Sequence, residues 1–305
     1  MKHPVITLLT DFGTRDHYVA SMKGVILGIN PLCTLVDISH HVRPQDIREG
    51  AFLLANAFSS FPKRAIHLAV VDPGVGGPRR PILVVTSNYY FIGPDNGIFS
   101  LVLLREKLER VIVLSNPDYF LPQVSSTFHG RDMFAPVAAH LSLGVRPEAF
   151  GRETDTFTDL GFARPKRGRN GLSGEIVHID AFGNLIGNIN GQEISDLSEG
   201  RSVSIKVSRQ TIHGLKKGYW EGKQGEVIAL IGSGGFLEIS VRAGNAQKKL
   251  KVKRGNRVRL QILKQSCLEQ APDDKNQTTS NFRRSKFQTE KITPKTSSPP
   301  TGGED

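Results

Sequence analysis

The chain has little of what crosslinks or anchors many proteins. Its 305 residues include two cysteines, Cys33 and Cys267. Two are too few for a disulfide framework and lack the spacing of a metal cluster, so a reducing, cytoplasmic setting is expected. No stretch approaches 18 uninterrupted apolar residues, which argues against a helical membrane span. The apolar run from Val5 to Leu9 is cut off by Asp11, well short of the apolar region of a secretory signal. Familiar catalytic signatures are also missing. There is no HExxH, no GxSxG, no phosphate loop with its G-K-[ST], and no Rossmann glycine fingerprint. No metal site is expected.

Negative charge is in deficit. Lys and Arg number 40 against 29 Asp and Glu, a formal net charge of +11. The segment 265–305 is neutral, with six residues of each sign, so the excess sits on residues 1–264. Part of it is clustered in Arg164, Lys166, Arg167 and Arg169, and part in Lys248, Lys249, Lys251, Lys253, Arg254, Arg257 and Arg259. One reading is a solvated surface with a basic β-ribbon; the other is attraction of anionic ligands or RNA. Neither an aromatic RNA-binding strand motif nor a C2H2 finger accompanies the charge, so nucleic acid is not the expected partner.

Apolar residues make up 38% of the chain, enough for a sizeable core. Residues 1–162 alternate short β-branched runs (Val5–Leu9, Leu35–Ile38, Ala65–Val71, Ile82–Thr86, Val111–Leu114) with stretches of helical period. That pattern predicts an α/β N-terminal domain with a largely parallel central sheet. The basic, Gly- and Pro-rich stretch 163–172 reads as a linker. Short alternating strands follow over 173–264: Glu175–Ile179, Ser202–Val207, Val227–Ile231, Phe236–Val241, Lys249–Val252 and Val258–Leu263. They predict an all-β, barrel-like C-terminal domain. Residues 265–305 are too polar to offset their ordering entropy and are expected to be disordered.

Four segments place Asp, His, Arg and Gly where strands should end, which is where ligands bind in a parallel sheet. In TDFGTRDHY (10–18), Asp11 follows a strand directly; it could accept bonds from ribose hydroxyls, or Asp11 or Asp16 could cap the next helix. VVDPGVGGPRR (70–80) packs three glycines and two prolines behind Asp72, more backbone specification than an ordinary turn needs. PDNG (94–97) is a strong turn signal by itself. TFHGRDMFAP (127–136) sets His129, Arg131 and Asp132 before a helix; joined to an Asp and Arg from another strand end, such a His can orient and deprotonate a water. In the β half, HIDAFGNLIGNI (178–189) flanks a Phe-Gly turn with Asp180 and Asn184, and Gly232, Ser233, Gly234 and Gly235 form a flexible polar loop.

Together, TDFG, VVDPGVG-x-x-RR, GPDNG, F-H-GRD-x-FAP, HID-x-FGN and GS-x-G-x-LEI resemble, in order from Ile6 to about Leu263, the S-adenosyl-L-methionine (SAM) hydroxide adenosyltransferase family, relatives of the SAM-dependent fluorinase and chlorinase. The resemblance implies SAM hydrolysis to adenosine and L-methionine, with SAM as substrate and no cofactor. It implies a homotrimer, with SAM between the N-terminal domain of one subunit and the C-terminal domain of its neighbour. The family's water-activating Asp, Arg and His land on Asp72, Arg79 and His129, the spacing of seven favouring Arg79 over Arg80. The ribose-binding Asp lands on Asp11, and Phe128 is expected beside ribose or adenine. Asp180 is implied to hold the methionine amino group, Asn184 to face adenine, Ser233 to meet the methionine carboxylate, and Asn245 and Ala246 to meet the adenine edge. Gly77-Pro78 and Gly187 depart from the threonines common in the family. The halogenase relatives carry an extra loop and lack the pair His129-Gly130 kept here, so water rather than halide is the expected nucleophile.

The chemistry needs no metal, because the sulfonium leaves as a neutral thioether. The poor nucleophile is the obstacle, and His129 is expected to take its proton while Asp72 fixes the water or the tautomer and Arg79 favours hydroxide. Three further readings are open: a SAM- or adenosine-binding sensor with little turnover, a SAM-dependent halogenase and, ranked lower, an RNA-binding protein using Lys248–Arg259.

Overall fold

The computed structural model describes residues 3–263. The segment 265–305, and with it Cys267, lies outside the described residues. Two sheets organise the rest. The first holds β1 (Val5–Thr10), β2 (Thr34–Ser39), β3 (Ile66–Val70), β4 (Pro81–Thr86), β5 (Tyr90–Pro94), β6 (Leu108–Leu114) and β7 (Gly151–Glu153) in the order β2-β1-β3-β5-β4-β6-β7. β1 pairs parallel with β2 and β3, and β3 with β5, whereas β4, β6 and β7 pair antiparallel. The sheet is therefore mixed, and its parallel part carries the tips that hold Asp11, Asp72 and PDNG. The β4–β5 hairpin explains the difference: a two-stranded turn needs no crossover helix. The segment 127–136, expected at a strand end, instead follows the connection 115–126 beyond the end of β6 at Leu114.

Three helices cover this sheet. α1 (Tyr18–Ile29) and α3 (Ala135–Ser142) pack together on one face, where Met22, Ile26, Val137 and Ala138 meet Ile6 and Leu8. α2 (Ile47–Ala57) covers the other, setting Leu54 and Ala55 against Leu9, Ala69 and Phe91. The β-strand alternation of side chains feeds both cores from the same strands. α2 begins at Asp46, whose side chain accepts from Glu49 N at 3.0 Å.

The second sheet holds β8 (Lys166–Gly168), β9 (Gly171–Ile179), β10 (Leu185–Asn190), β11 (Val203–Val207), β12 (Gln210–His213), β13 (Val227–Ile231), β14 (Phe236–Val241) and β15 (Arg257–Ile262). Its pairings are antiparallel in the order β12-β11-β15-β9-β10-β14-β13, with β8 on β9. Ile176, Leu185, Ile205, Ile239 and Leu260 fill its interior. α4 (Gly191–Ser198) starts with a capping box between Asn190 and Glu193.

Three further sequence expectations change here. Residues 249–252 do not form a strand: α5 (Ala246–Leu250) occupies the place, started by the Asn245 side chain accepting from Lys248 N at 2.8 Å. The basic segment 248–259 is consequently no ribbon; it splits between α5, a turn and β15, and Arg254 pairs with Asp46. The stretch read as a linker closes into a short hairpin, with Lys166–Gly168 paired to Gly171–Ser173. At α5 the Asn245 cap outweighed the strand-like alternation of the sequence.

Candidate active site

The turn after β3 folds back on itself so that Arg79 reaches Asp72. Gly76 adopts φ +75°, and a side chain there would strike the Ser126 carbonyl, so the turn packs directly on the segment leading to His129. Arg79 Nε donates to Asp72 Oδ1 at 3.0 Å and Oδ2 at 2.9 Å, and its Nη2 donates to Oδ2 as well. The same Nη2 lies 2.9 Å from His129 Nδ1. The two side chains of the ion pair are 4% and 10% exposed, enough occlusion to strengthen the pair well beyond a surface salt bridge. The neighbouring Arg80 goes elsewhere: its Nε donates to Asp95 Oδ2 at 2.8 Å. The PDNG segment is thus a structural anchor, with Asn96 Nδ2 donating to Val71 O at 2.8 Å behind the Asp72 turn.

His129 opens a single π-helical turn, Gly130–Phe134, that runs into α3. Such turns recur at functional sites. Asp132 is fully buried and accepts from Ser125 N at 2.8 Å and Arg131 Nε at 2.6 Å, fixing the loop before His129. Burial, then the Arg79 charge, hold the His129 pKa below its usual value, while Asp72 and Asp132 oppose the shift. The imidazole is neutral at pH 7. A guanidinium only donates, so Nδ1 accepts from Arg79 and the ring proton resides on Nε2. The expectation that His129 takes the proton of water therefore meets a ring with one nitrogen engaged and the other protonated.

Asp11 accepts from Gln45 N at 2.7 Å. α1 is entered through His17 with no side-chain cap, so the capping alternative for Asp11 and Asp16 is set aside. Phe128 is buried and meets Phe12 and Tyr18 edge-on, at ring separations of 5.9 and 5.2 Å, with Arg131 over its face at 5.0 Å. The sequence reading missed this aromatic wall, although Phe12 stands inside the TDFG motif. Asp72, Arg79 and His129 are brought into one hydrogen-bonded cluster, with Phe128 adjoining it in sequence.

The remaining predicted residues gather on the second sheet. Asp180 Oδ1 accepts from Phe182 N at 2.9 Å and Asn184 N at 2.8 Å, and Oδ2 accepts from Asn184 Nδ2 at 2.9 Å. Gly183, at φ +83°, leaves room for the Asn245 amide, which a Cβ would overlap. Asn184 and Ala246 are buried, whereas Ser233 is exposed. Nearby, Glu238 accepts from Tyr219 Oη at 2.6 Å and Ser240 Oγ at 2.7 Å, and that contact pushes the Tyr219 pKa up to about 12. Glu238 belongs to the LEI motif and carried no sequence signal of its own. Among the described residues no hydrogen bond or ion pair joins this group to the Asp72–Arg79–His129 cluster. A cleft of about 860 Å³ between α2 and the second sheet is lined by neither group. No cluster able to hold a metal ion occurs among the described residues, and no helix there is long and apolar enough to cross a membrane.

The N-terminal domain model of the SAM hydroxide adenosyltransferases matches residues 6–151, and their C-terminal domain model matches residues 174–259. The chain belongs to the SAM hydroxide adenosyltransferase family. Two family relatives are (R)-S-adenosyl-L-methionine hydrolases. The one from Thermus thermophilus is 37% identical over 84% of this chain and 98% of its own length. The one from Methanocaldococcus jannaschii is 38% identical over 81% and 92%. A fluorinase from Nocardia brasiliensis is more distant, 24% identical over 86% and 98%. The crystal structure of an uncharacterized conserved protein from Thermotoga maritima matches with a TM-score of 0.80 at 35% identity, covering 84% of this chain and 99% of that one.

Proposed function

We propose that this adenosyltransferase hydrolyses SAM to adenosine and L-methionine by attack of a positioned water at ribose C5′. The observation that carries this reading is the single hydrogen-bonded unit made by Asp72, Arg79 and His129. The relatives' names specify the (R) form; methionine's carbon is already designated L, so the descriptor falls on sulfur, and the same epimer is the substrate proposed here. Asp11 and Phe128 hold the ribose and its base, while Asp180, Asn184, Ser233, Asn245 and Ala246 hold the methionine end and the adenine edge.

The geometry supports a division of labour different from a simple histidine base. His129 presents Nε2–H to the water oxygen and stabilises hydroxide character as the C–O bond forms. Asp72 Oδ1 accepts one bond from Arg79 and keeps a lone pair, so it is the acceptor for the departing proton. Alignment of the oxygen behind C5′ supplies the larger effect, about 7–11 kcal/mol, against roughly 10²–10⁴-fold for proton transfer. Neither a metal nor a cofactor takes part in the proposed step.

The two residue groups become one site if a neighbouring subunit supplies the second. The exposed Phe182 and Trp220, at 77% and 68%, flank the Asp180 side of the chain and support a covered face there. A homotrimer with sites between subunits, working in the cytoplasm, is the assembly proposed. Incubation of the purified chain with each sulfonium epimer, followed by chromatography, tests the activity. Adenosine and methionine should form in equal amounts, and added halide should give no 5′-halogenated product. Intact substrate with stoichiometric binding would instead establish a sensor.

A further inference from the structure

We propose that the cleft between α2 and the second sheet is a second ligand site, taking a small aromatic anion of the size of a nucleoside monophosphate. Its volume, about 860 Å³, falls within the range of small-molecule sites. None of the residues assigned above to SAM lines it. One wall is a single face of α2, where Arg48, Phe52 and Asn56 follow one another at helical spacing. Phe236, at the start of β14, meets Phe52 at a ring separation of 6.2 Å, and Phe162 and Arg164 also line the cleft.

The lining is unbalanced in one direction. Arg48, Arg105 and Arg164 face the cleft without a carboxylate at ion-pair distance among the described residues, while Arg254, the fourth, is taken by Asp46. Of the lining carboxylates, Glu193 is held by Asn190 N at 3.0 Å as part of the α4 cap, which leaves Glu175. Arg105 is an exposed residue whose pKa is lowered by partial desolvation, with no acidic group to offset it. An anion entering the cleft would relieve that cost.

Two of these three guanidinium groups, those of Arg48 and Arg105, are anchored by a backbone carbonyl and an aromatic ring. Arg48 Nη2 donates to Leu160 O at 2.9 Å and the group lies 5.1 Å from the centre of the Phe162 ring. Arg105 Nη1 donates to Ala55 O at 2.7 Å and lies 5.5 Å from the centre of Phe236. Each spends one donor of five, so both keep N–H groups for anionic oxygens beside an aromatic surface. The positive end of α4, at Gly191 and Gln192, faces the same space. Along α2, Arg48 and Ala55 stand roughly 10 Å apart, a span that a base and its phosphate can bridge. A flat ring system with an anionic group at one end satisfies all of these features; a neutral lipid or an apolar peptide satisfies only the aromatic ones.

Titration calorimetry on the full chain in its native assembly tests the site, with adenosine 5′-monophosphate as probe. The titration is run with adenosine and methionine already saturating, so that the hydrolytic site is filled. Binding should persist, with one probe per chain, and should weaken as salt rises. Arg48→Gln and Arg164→Gln should each weaken it roughly 10–100-fold, with the ligand-free melting temperature and SAM hydrolysis unchanged. Absence of binding would overturn the proposal. So would loss of binding when the products are present, or affinity unaffected by either substitution. Inorganic phosphate binding as tightly as the nucleotide would also overturn it, by reducing the site to an adventitious ion only.

Discussion

The adjacent pair Arg79-Arg80 shows how finely placement divides two identical side chains. Arg79 turns to Asp72 and His129, Arg80 to Asp95. The first sits in the cluster and the second braces the turn behind it. Because Arg79 occupies Nδ1, the role proposed for His129 is that of a neutral N–H donor. His129→Ala should lower kcat by about 10²–10³-fold, the usual cost of one donor aimed at developing negative charge, with KM nearly unchanged. Protonating the ring would set two donors against each other. The wild-type rate should therefore fall only below the ordinary histidine range, and the His129→Ala variant should lack that acid limb; kinetics across pH 4–8 read both. A large rise in KM would place His129 in binding instead.

A second histidine makes a separate prediction. His67 is fully buried, its Nδ1 paired with Thr7 Oγ1 at 2.8 Å and its ring stacked on Phe91. Burial drops its pKa to about 3. The folded state then binds fewer protons than the unfolded state between about pH 3 and 6.5, so stability from this group is complete above that window and declines as pH falls through it. Between pH 6.5 and 5 the wild type should lose about 2 kcal/mol more than a His67→Gln variant, measured by urea unfolding. Equal losses would show that the site admits water.

At the scale of elements, turns do more than strands to set the chemistry. The Asp180–Asn184 turn depends on a left-handed Gly183 against Asn245, which in turn starts α5. Gly183→Ala would force both an unfavourable φ and a shift of Asn245. A loss of about 1–3 kcal/mol in urea unfolding is expected, accompanied by a rise in KM for SAM. Unchanged KM would separate this turn from the substrate. Part of this level was legible in the sequence: β1, β13 and β14 follow from short apolar runs, and the course of α1 from its helical period. α5 was not, because its start rests on one asparagine cap and its apolar content matches a strand. The hairpin at 166–173 was hidden for a similar reason, its basic residues being selected by solvent and not by a core.

For the whole molecule, the decisive arrangement is the separation of two residue groups on two sheets. If neighbouring subunits complete each other, Asp72→Asn and Asp180→Ala chains should each be nearly inactive alone. Co-expressed, they should recover about one quarter of the wild-type sites, the fraction in which both contributing halves are intact in a cyclic assembly. No recovery in a confirmed mixed oligomer would assign both groups to one chain.

The sequence alone determined that Asp11 and Asp72 stand just past strand tips, because a polar residue that closes an apolar run leaves the buried sheet there. It also carried the six ordered motifs that mark the family. Tertiary structure decided which nitrogen of His129 holds the proton, that Arg80 turns instead to Asp95, and that the cleft beside α2 lies away from both residue groups. Those outcomes depend on distances and donor directions between segments far apart in the chain, and a linear order of residues contains neither.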